Sequence, residues 1–452
     1  MSANVTSLKD SGLVIIAGLL AGLFFILVPD LALMLILVLI LGLGLNANLP
    51  GEDREFLIKL FVISFVVRLL VLIFVFCLSI LFGGRGEVFP DSRYLTISAL
   101  QISRIWRSSE VMFLSIELHG INFFTYILAF FYTIINYGAN SVSPDPILSD
   151  KVLNIIISLI TSVSIYYLAK ELFGRKVAVL STIIVSFWPT LIIWSVTNLR
   201  EPFNILLTTI FLWSSVKYIK SSRFRYGVIC LASALCVYGV RPYLFPFSVI
   251  MALLTLVIGM RMRMTVKLFI ILLLFVSVAF GSKSLDFGKY VDQSESYREN
   301  ILRMNREIIR QGGMSYSIYD KDTYQNGKID NFKLVKGFVK GWFHFILVPL
   351  PWMVLAFAPL VIYPVIIIWY LLLAMSLVGV YFCIKYQLKY NFVFLTYIFV
   401  VTFVFGIVEG NMGSALRHRD LVLPFYLILA VVGYYGIFDK RGLIKTWEGN
   451  GK

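Results

Sequence analysis

Four short stretches carry residue types that could do chemistry. FPDSRYLTISALQISRIW (89–106) sets Asp91 behind a proline, with Arg93 and Tyr94 close by. A carboxylate there fits an N-cap, since the first N–H groups of a helix need an acceptor. It equally fits a base at the mouth of a membrane-facing cavity, taking a proton from an acceptor group. TNLREPFN (197–204) places Arg200 and Glu201 ahead of Pro202. That is either helix punctuation or a guanidinium for an anionic ligand, with a carboxylate that orients it or contributes to a metal site. YGVRPYLFPF (238–247) puts Arg241 inside an otherwise apolar helical hairpin. A charge there either snorkels to the interface or pairs with a carboxylate, a lipid headgroup or a phosphate. GNMGSALRHRDLVLPF (410–425) sets Arg417, His418 and Arg419 in a row before an apolar run. Arginine suits bidentate phosphate recognition, and a solvated loop is the plainer alternative.

The elements that must position these residues are lipid-solvated. Of 452 residues 59% are hydrophobic and only 14% charged, and the mean hydropathy is +0.87, so a soluble fold of this size has too little interior to hide its apolar surface. Cys77, Cys230, Cys236 and Cys383 lie in apolar stretches without a CxxC pair, which argues against a disulfide framework or a zinc site. The three histidines are scattered, and His119 and His344 read as interfacial structural residues. The net charge of +15 is what cytoplasmic loops of a polytopic membrane protein accumulate, and nucleic acid is excluded as its explanation.

Apolar runs long enough to span a bilayer are expected at 12–28, 31–45, 58–82, 152–169, 177–196, 203–219, 226–243, 244–260, 266–282, 360–384, 391–408 and 421–438. Basic clusters at Lys170/Arg175/Lys176, Lys217/Lys220/Arg223/Arg225, Arg261/Arg263/Lys267, Lys385/Lys389 and Lys440/Arg441/Lys445 belong on the cytoplasmic side. Spans count correctly between them only if 121–137 and 342–356 do not cross, so both are expected as helices on the outer face. The expected fold is an all-α polytopic bundle of about 12 spans, with both termini inside, outer-face juxtamembrane helices and a small extracytoplasmic loop region. Four parts follow: a hairpin at 1–55, a transmembrane core at 56–282 with its first outer loop at 83–151, an outer segment at 283–341, and a C-terminal part at 342–452. The segment 283–341 holds eleven Lys/Arg and eight Asp/Glu, so it is solvated, with an amphipathic helix expected at 297–311.

With these residues in place, the chain resembles the GT-C superfamily of integral-membrane glycosyltransferases, which take sugars from polyprenyl-phosphate carriers. The resemblance rests on Asp91 in FPDSRYL, on YYLAKELFGRKVAVLSTIIVSFWPTLIIWSVTNLREPF (166–203) and on the late RHRDLVLPF, within residues 56–440. It implies transfer of a sugar, usually with inversion, to a lipid, glycan or protein acceptor. Asp91 would be the general base; Arg93, Tyr94, Arg200, Glu201, Arg241, Arg417, His418 and Arg419 would contact substrate. The guanidinium groups would stabilise the departing phosphate, and His418 would donate a hydrogen bond to it. The implied setting is the cytoplasmic membrane with the active site facing outside. Many members carry a two-carboxylate motif where this chain has Asp91-Ser92-Arg93, and Arg200-Glu201 stands where an aspartate is common, so a divalent metal (Mg or Mn) stays open and no cofactor is assigned. A lipid-linked polysaccharide polymerase or ligase would use the same arginines. A transporter would instead place charges at mid-membrane, where Arg68 is the strongest candidate.

Overall fold

The computed structural model describes residues 29–48, 51–83, 86–107, 122–135, 148–241, 244–260, 265–266, 318–319, 324–325, 328–350 and 359–450. The expected span at 12–28, most of that at 266–282, the amphipathic helix at 297–311 and residues 351–356 of the proline-broken stretch lie outside them. The described chain is helical apart from a two-residue antiparallel pair, β1 (Tyr324–Gln325) and β2 (Lys328–Ile329). It divides into two compact units, residues 1–161 with 190–203, and residues 162–189 with 204–452.

The first unit contains α1 (Pro29–Asn48), α2 (Gly51–Leu81), α3 (Pro90–Arg107), α4 (Phe123–Ile134), the start of α5 (Ser149–Phe173) and α7 (Pro189–Ser195). Its core joins Met34, Phe61, Leu72, Ala99, Leu128, Ile155 and Val196. α3 is amphipathic: Ser92, Leu95, Ala99, Ile102 and Ser103 recur at helical spacing on its buried face. α4 begins with a capping box, in which Asn122 Oδ1 accepts from Thr125 N (3.2 Å) and Thr125 Oγ1 accepts from Asn122 N (3.4 Å). Its twelve residues extend about 18 Å, short of the ~30 Å hydrocarbon core. Phe123, Tyr126, Phe130 and Ile134 form an exposed apolar stripe along it.

The second unit contains α6 (Arg175–Ser186), most of α8 (Glu201–Ser221), α9 (Phe224–Val240), α10 (Phe245–Gly259), α11 (Asn331–Leu347), α12 (Pro359–Gly406), α13 (Met412–Arg419), α14 (Leu423–Phe438) and α15 (Lys440–Asn450). α14 is the central helix, buried without interruption from Leu423 to Gly433, which accounts for its being apolar all round. α12 backs onto it with no side chain between: a Cβ on Gly379 would come 2.0 Å from Leu429 O, and one on Gly433 2.0 Å from Met375 O. Such small-residue seams let transmembrane backbones touch. α12 is two limbs joined at Gln387, whose φ of −144° and ψ of 36° leave the helical region. Tyr426 meets both Trp369 (ring centroids 5.9 Å apart) and Thr402 (3.1 Å between hydroxyls). A straight helix would hold those two residues about 50 Å apart, so the chain reverses at Gln387. The expected runs 360–384 and 391–408 are therefore separate limbs.

With the two limbs of α12 counted once, three described helices are long and apolar enough to cross a membrane, or five if two bent pairs count as single spans. The count of twelve is thus not reached among the described residues. The run 177–196 differs from expectation in being two helices, broken at Phe187–Trp188 ahead of Pro189. α11 begins at Asn331, inside the segment read as outer loop. It exposes Phe332, Val335, Val339 and Phe343 beside Lys336 and Lys340, the pattern of an interfacial helix.

Within the second unit, the described basic clusters, at Lys170/Arg175/Lys176, Lys217/Lys220/Arg223/Arg225, Lys385/Lys389 and Lys440/Arg441, share one end. Lys217 pairs with Glu171 (2.5 Å), Lys176 with Asp439 (2.9 Å), and Gln387 reaches Trp447 O (3.4 Å). α9 leaves this end at Arg223 and α14 arrives at it with Asp439. Arg241 and Arg417–Arg419 consequently lie at the opposite end.

Candidate functional site

In the first unit, Asp91, Arg93 and Tyr94 occupy the first turn of α3 and are all exposed. Glu201 is fully buried at the start of α8 and Arg200 is half-buried just before it. Arg68 is buried in α2, where it donates to Ser64 Oγ of the preceding turn.

Between these positions lies a buried ionic cluster that the sequence reading missed. Lys151, on the first turn of α5, donates to Glu87 Oε1 (3.0 Å) and Asp150 Oδ1 (3.4 Å); the three side chains are 4%, 9% and 2% exposed. Ser92 Oγ donates to Glu87 Oε2, and Thr96 Oγ1 to Glu87 Oε1 (3.1 Å), so Glu87 grips α3 one residue from Asp91. Tyr132 OH of α4 donates to Asp150 Oδ2 (2.7 Å). Asn198 Nδ2 donates to the same oxygen (2.7 Å) and to Thr96 Oγ1 (3.0 Å), while Asn198 N donates to Ser92 Oγ (3.2 Å). Asn154 Nδ2 holds the same turn through Leu199 O (2.8 Å). The network ties the helix that presents Asp91 to the turn that presents Arg200. Its one sequence signal was Asp150-Lys151 at a helix start, which also reads as ordinary capping. Two buried carboxylates need a counter-charge, and Lys151 supplies it within the chain.

A divalent metal was left open by the sequence. Among the described residues no group of three or more His, Cys, Asp or Glu is placed to hold one. The paired carboxylates Glu87 and Asp150 already share an internal ammonium. These residues do not fit a metal, and no step below uses one.

In the second unit, Arg241 caps the end of α9 and is 1% exposed. Its Nη1 lies 2.8 Å from Nε2 of His418 on α13, and His418 Nδ1 meets Glu409 Oε1. Glu409, in the turn between α12 and α13, was not singled out by sequence; it stands just before Gly410, ahead of the stretch that drew attention. Burial pushes its carboxyl up to about 7, against the opposing pull of Arg241 and Arg417. Arg417 is half-buried on α13. Arg419, two residues on, turns elsewhere: it donates to Val348 O and Ile346 O (3.4 Å) and stacks 4.5 Å over the Trp369 ring. Arg241, His418 and the field of Arg417 thus meet around Glu409, while Arg419 braces the end of α11 against α12.

The raised carboxyl gives stability a sign with pH. The unfolded chain ionises Glu409 near 4.5 and the folded chain near 7, so within that window only the folded state keeps the proton. Stability from this group is full below about 4.5 and is lost as pH rises through about 7. Glu409→Gln is expected to melt higher than the parent at pH 8 and no higher at pH 4.5, as read by thermal denaturation in detergent at both pH values. Equal shifts at the two pH values would contradict the buried carboxyl.

Residues 123–285 match the dolichyl-phosphate-mannose-protein mannosyltransferase family. That segment includes Asp150, Lys151, Asn198, Arg200, Glu201 and Arg241, and leaves Asp91, Glu409 and Arg417–Arg419 outside. No curated protein matches the chain. Among solved structures, the apo Archaeoglobus fulgidus oligosaccharyltransferase is similar at 12% identity and a TM-score of 0.44, covering 86% of this chain and 51% of that one. The chain therefore spans about half of that protein's length. The match contains the 166–203 stretch and agrees there with the resemblance to the GT-C superfamily of membrane glycosyltransferases, while FPDSRYL and RHRDLVLPF lie outside the matched residues.

Proposed function

We propose that the protein transfers a sugar from a polyprenyl-phosphate carrier to a lipid, glycan or protein acceptor at the extracytoplasmic face of the cytoplasmic membrane. The observation that carries this reading is the gathering of Arg241, His418 and Glu409 at the end of the second unit opposite its basic clusters. If those clusters are cytoplasmic, the gathered groups face outside. In the proposed reaction Asp91 accepts the acceptor hydroxyl proton as that oxygen bonds to the anomeric carbon. The bond from that carbon to the phosphate oxygen breaks, and polyprenyl phosphate leaves with inversion. Negative charge grows on the phosphate as the bond lengthens, so guanidinium groups aimed at it gain strength in the transition state. Arg241 and Arg417 take that role, with Arg200 assisting; the exposed Arg93 and Tyr94 contact acceptor or sugar, and the fully buried Glu201 is left without substrate contact. Both nitrogens of the His418 ring are engaged within the protein, which favours a supporting part for it over direct phosphate contact. Arg419, engaged by Val348 O, Ile346 O and the Trp369 ring, takes no part in phosphate contact.

The test is purified protein given polyprenyl-phosphate monosaccharides or lipid-pyrophosphate oligosaccharides. Turnover of the first class is expected. Turnover of the second alone would replace the proposal with a polymerase or ligase. Arg241→Ala is expected to lower donor kcat/KM at least tenfold, the scale of one charge-assisted phosphate contact. An unchanged value would mean that the phosphate binds elsewhere.

A further inference from the structure

The contact between Arg241 and His418 fixes a proton. A guanidinium only donates hydrogen bonds, so His418 Nε2, 2.8 Å from Arg241 Nη1, must accept. The ring proton of a neutral imidazole then sits on Nδ1, and Nδ1 faces Glu409 Oε1. The ring lies nearly flat on Phe405, centroids 4.4 Å apart and planes inclined by 21°, which leaves it little freedom to turn. Glu409 is 4% exposed and holds His418 through one oxygen, while its Oε2 makes no hydrogen bond.

We propose that Glu409 and His418 are positioning residues: Oε1 of Glu409, accepting from the Nδ1–H tautomer of His418, orients the Arg241 guanidinium toward the phosphate of the lipid-linked donor. This rests on the reading of Arg241 as a phosphate-binding residue. The logic is that of a second layer of groups, which fixes the tautomer and aim of the one in front. A doubly protonated His418 would turn an N–H toward the Arg241 N–H groups and release them.

Two measurements separate this proposal from the reading beneath it. The first needs no activity: 15N-histidine NMR of the full chain in nanodiscs, with His119→Gln and His344→Gln leaving a single ring. The expected signal at neutral pH is the Nδ1–H tautomer, with the Nε2 resonance shifting in Arg241→Ala. An Nε2–H tautomer or an imidazolium would overturn the proposal. The second is sugar transfer from the polyprenyl-phosphate monosaccharide that the parent turns over. Glu409→Ala is expected to raise the donor KM at least tenfold with a smaller change in kcat, and Glu409→Gln, whose amide oxygen still accepts from Nδ1–H, to recover most of that loss. Loss in Arg241→Ala without loss in Glu409→Ala would overturn the positioning role alone. No loss in Arg241→Ala would overturn the phosphate reading, whatever tautomer the ring shows.

Discussion

Lys151→Met is expected to destabilise the protein by about 3–5 kcal/mol, the range for removing one partner of a buried ion pair. The substitution keeps the length of the side chain and its apolar stem. It leaves Glu87 and Asp150 with no cation between them, at exposures of 9% and 2%. Hydrogen bonds from Ser92, Thr96, Tyr132 and Asn198 remain, but they were arranged around carboxylates sharing a positive charge. Thermal unfolding in detergent measures the effect. Adding Glu87→Gln and Asp150→Asn to Lys151→Met removes both orphaned charges and is expected to recover much of the loss. Lys59→Met is the control: its partner Glu55 is 2.6 Å away, but both side chains are largely in solvent, and exposed pairs contribute about 0–1 kcal/mol. Equal melting of Lys151→Met and the parent would mean that the cluster is not ionic.

Asp91→Asn is expected to leave folding intact and to lower sugar transfer by about 10²–10⁴, the contribution of a positioned general base. Asparagine has nearly the same shape, and Asp91 lies in the first turn of α3 after Pro90, so losing its charge costs about 0.3–1 kcal/mol of interaction with the helix N-terminus. It cannot accept the hydroxyl proton. Asp91 is exposed while its neighbour Ser92 is fully buried on Glu87, so the residue stands on an anchored backbone with its side chain directed outward. Full activity in the asparagine variant would move the base elsewhere. Glu87 is the nearest carboxylate in sequence, but its oxygens are committed to Lys151, Ser92 and Thr96.

Helices were legible because lipid demands long apolar runs, and α2, α5, α8, α9, α10 and α14 fall where such runs were read. The break between two runs was legible as well: Lys385 and Lys389 flank Gln387, where α12 turns back. What could not be read is which charge meets which. Asp150-Lys151 has the local pattern of a helix start, and only the distant Glu87 and Asn198 make it an ionic cluster. Arg417 and Arg419 are indistinguishable in RHRDLVLPF; carbonyls of residues 346 and 348, seventy positions away, take one of them. Glu409 stood just ahead of a motif that drew attention for its arginines. Trp188-Pro189 marks the break between α6 and α7, yet the apolar run around it reads as unbroken.

The seclusion of Lys151 bears on how ionic strength should act. Dissolved ions weaken interactions between charges in water but reach enclosed pairs far less, so the Glu87–Lys151–Asp150 cluster keeps its strength in concentrated salt. The scaffold under Asp91 then responds little to electrolyte, so under the proposed function a decline of turnover with added salt reports on capture of the anionic donor by guanidinium groups rather than on loosening of α3.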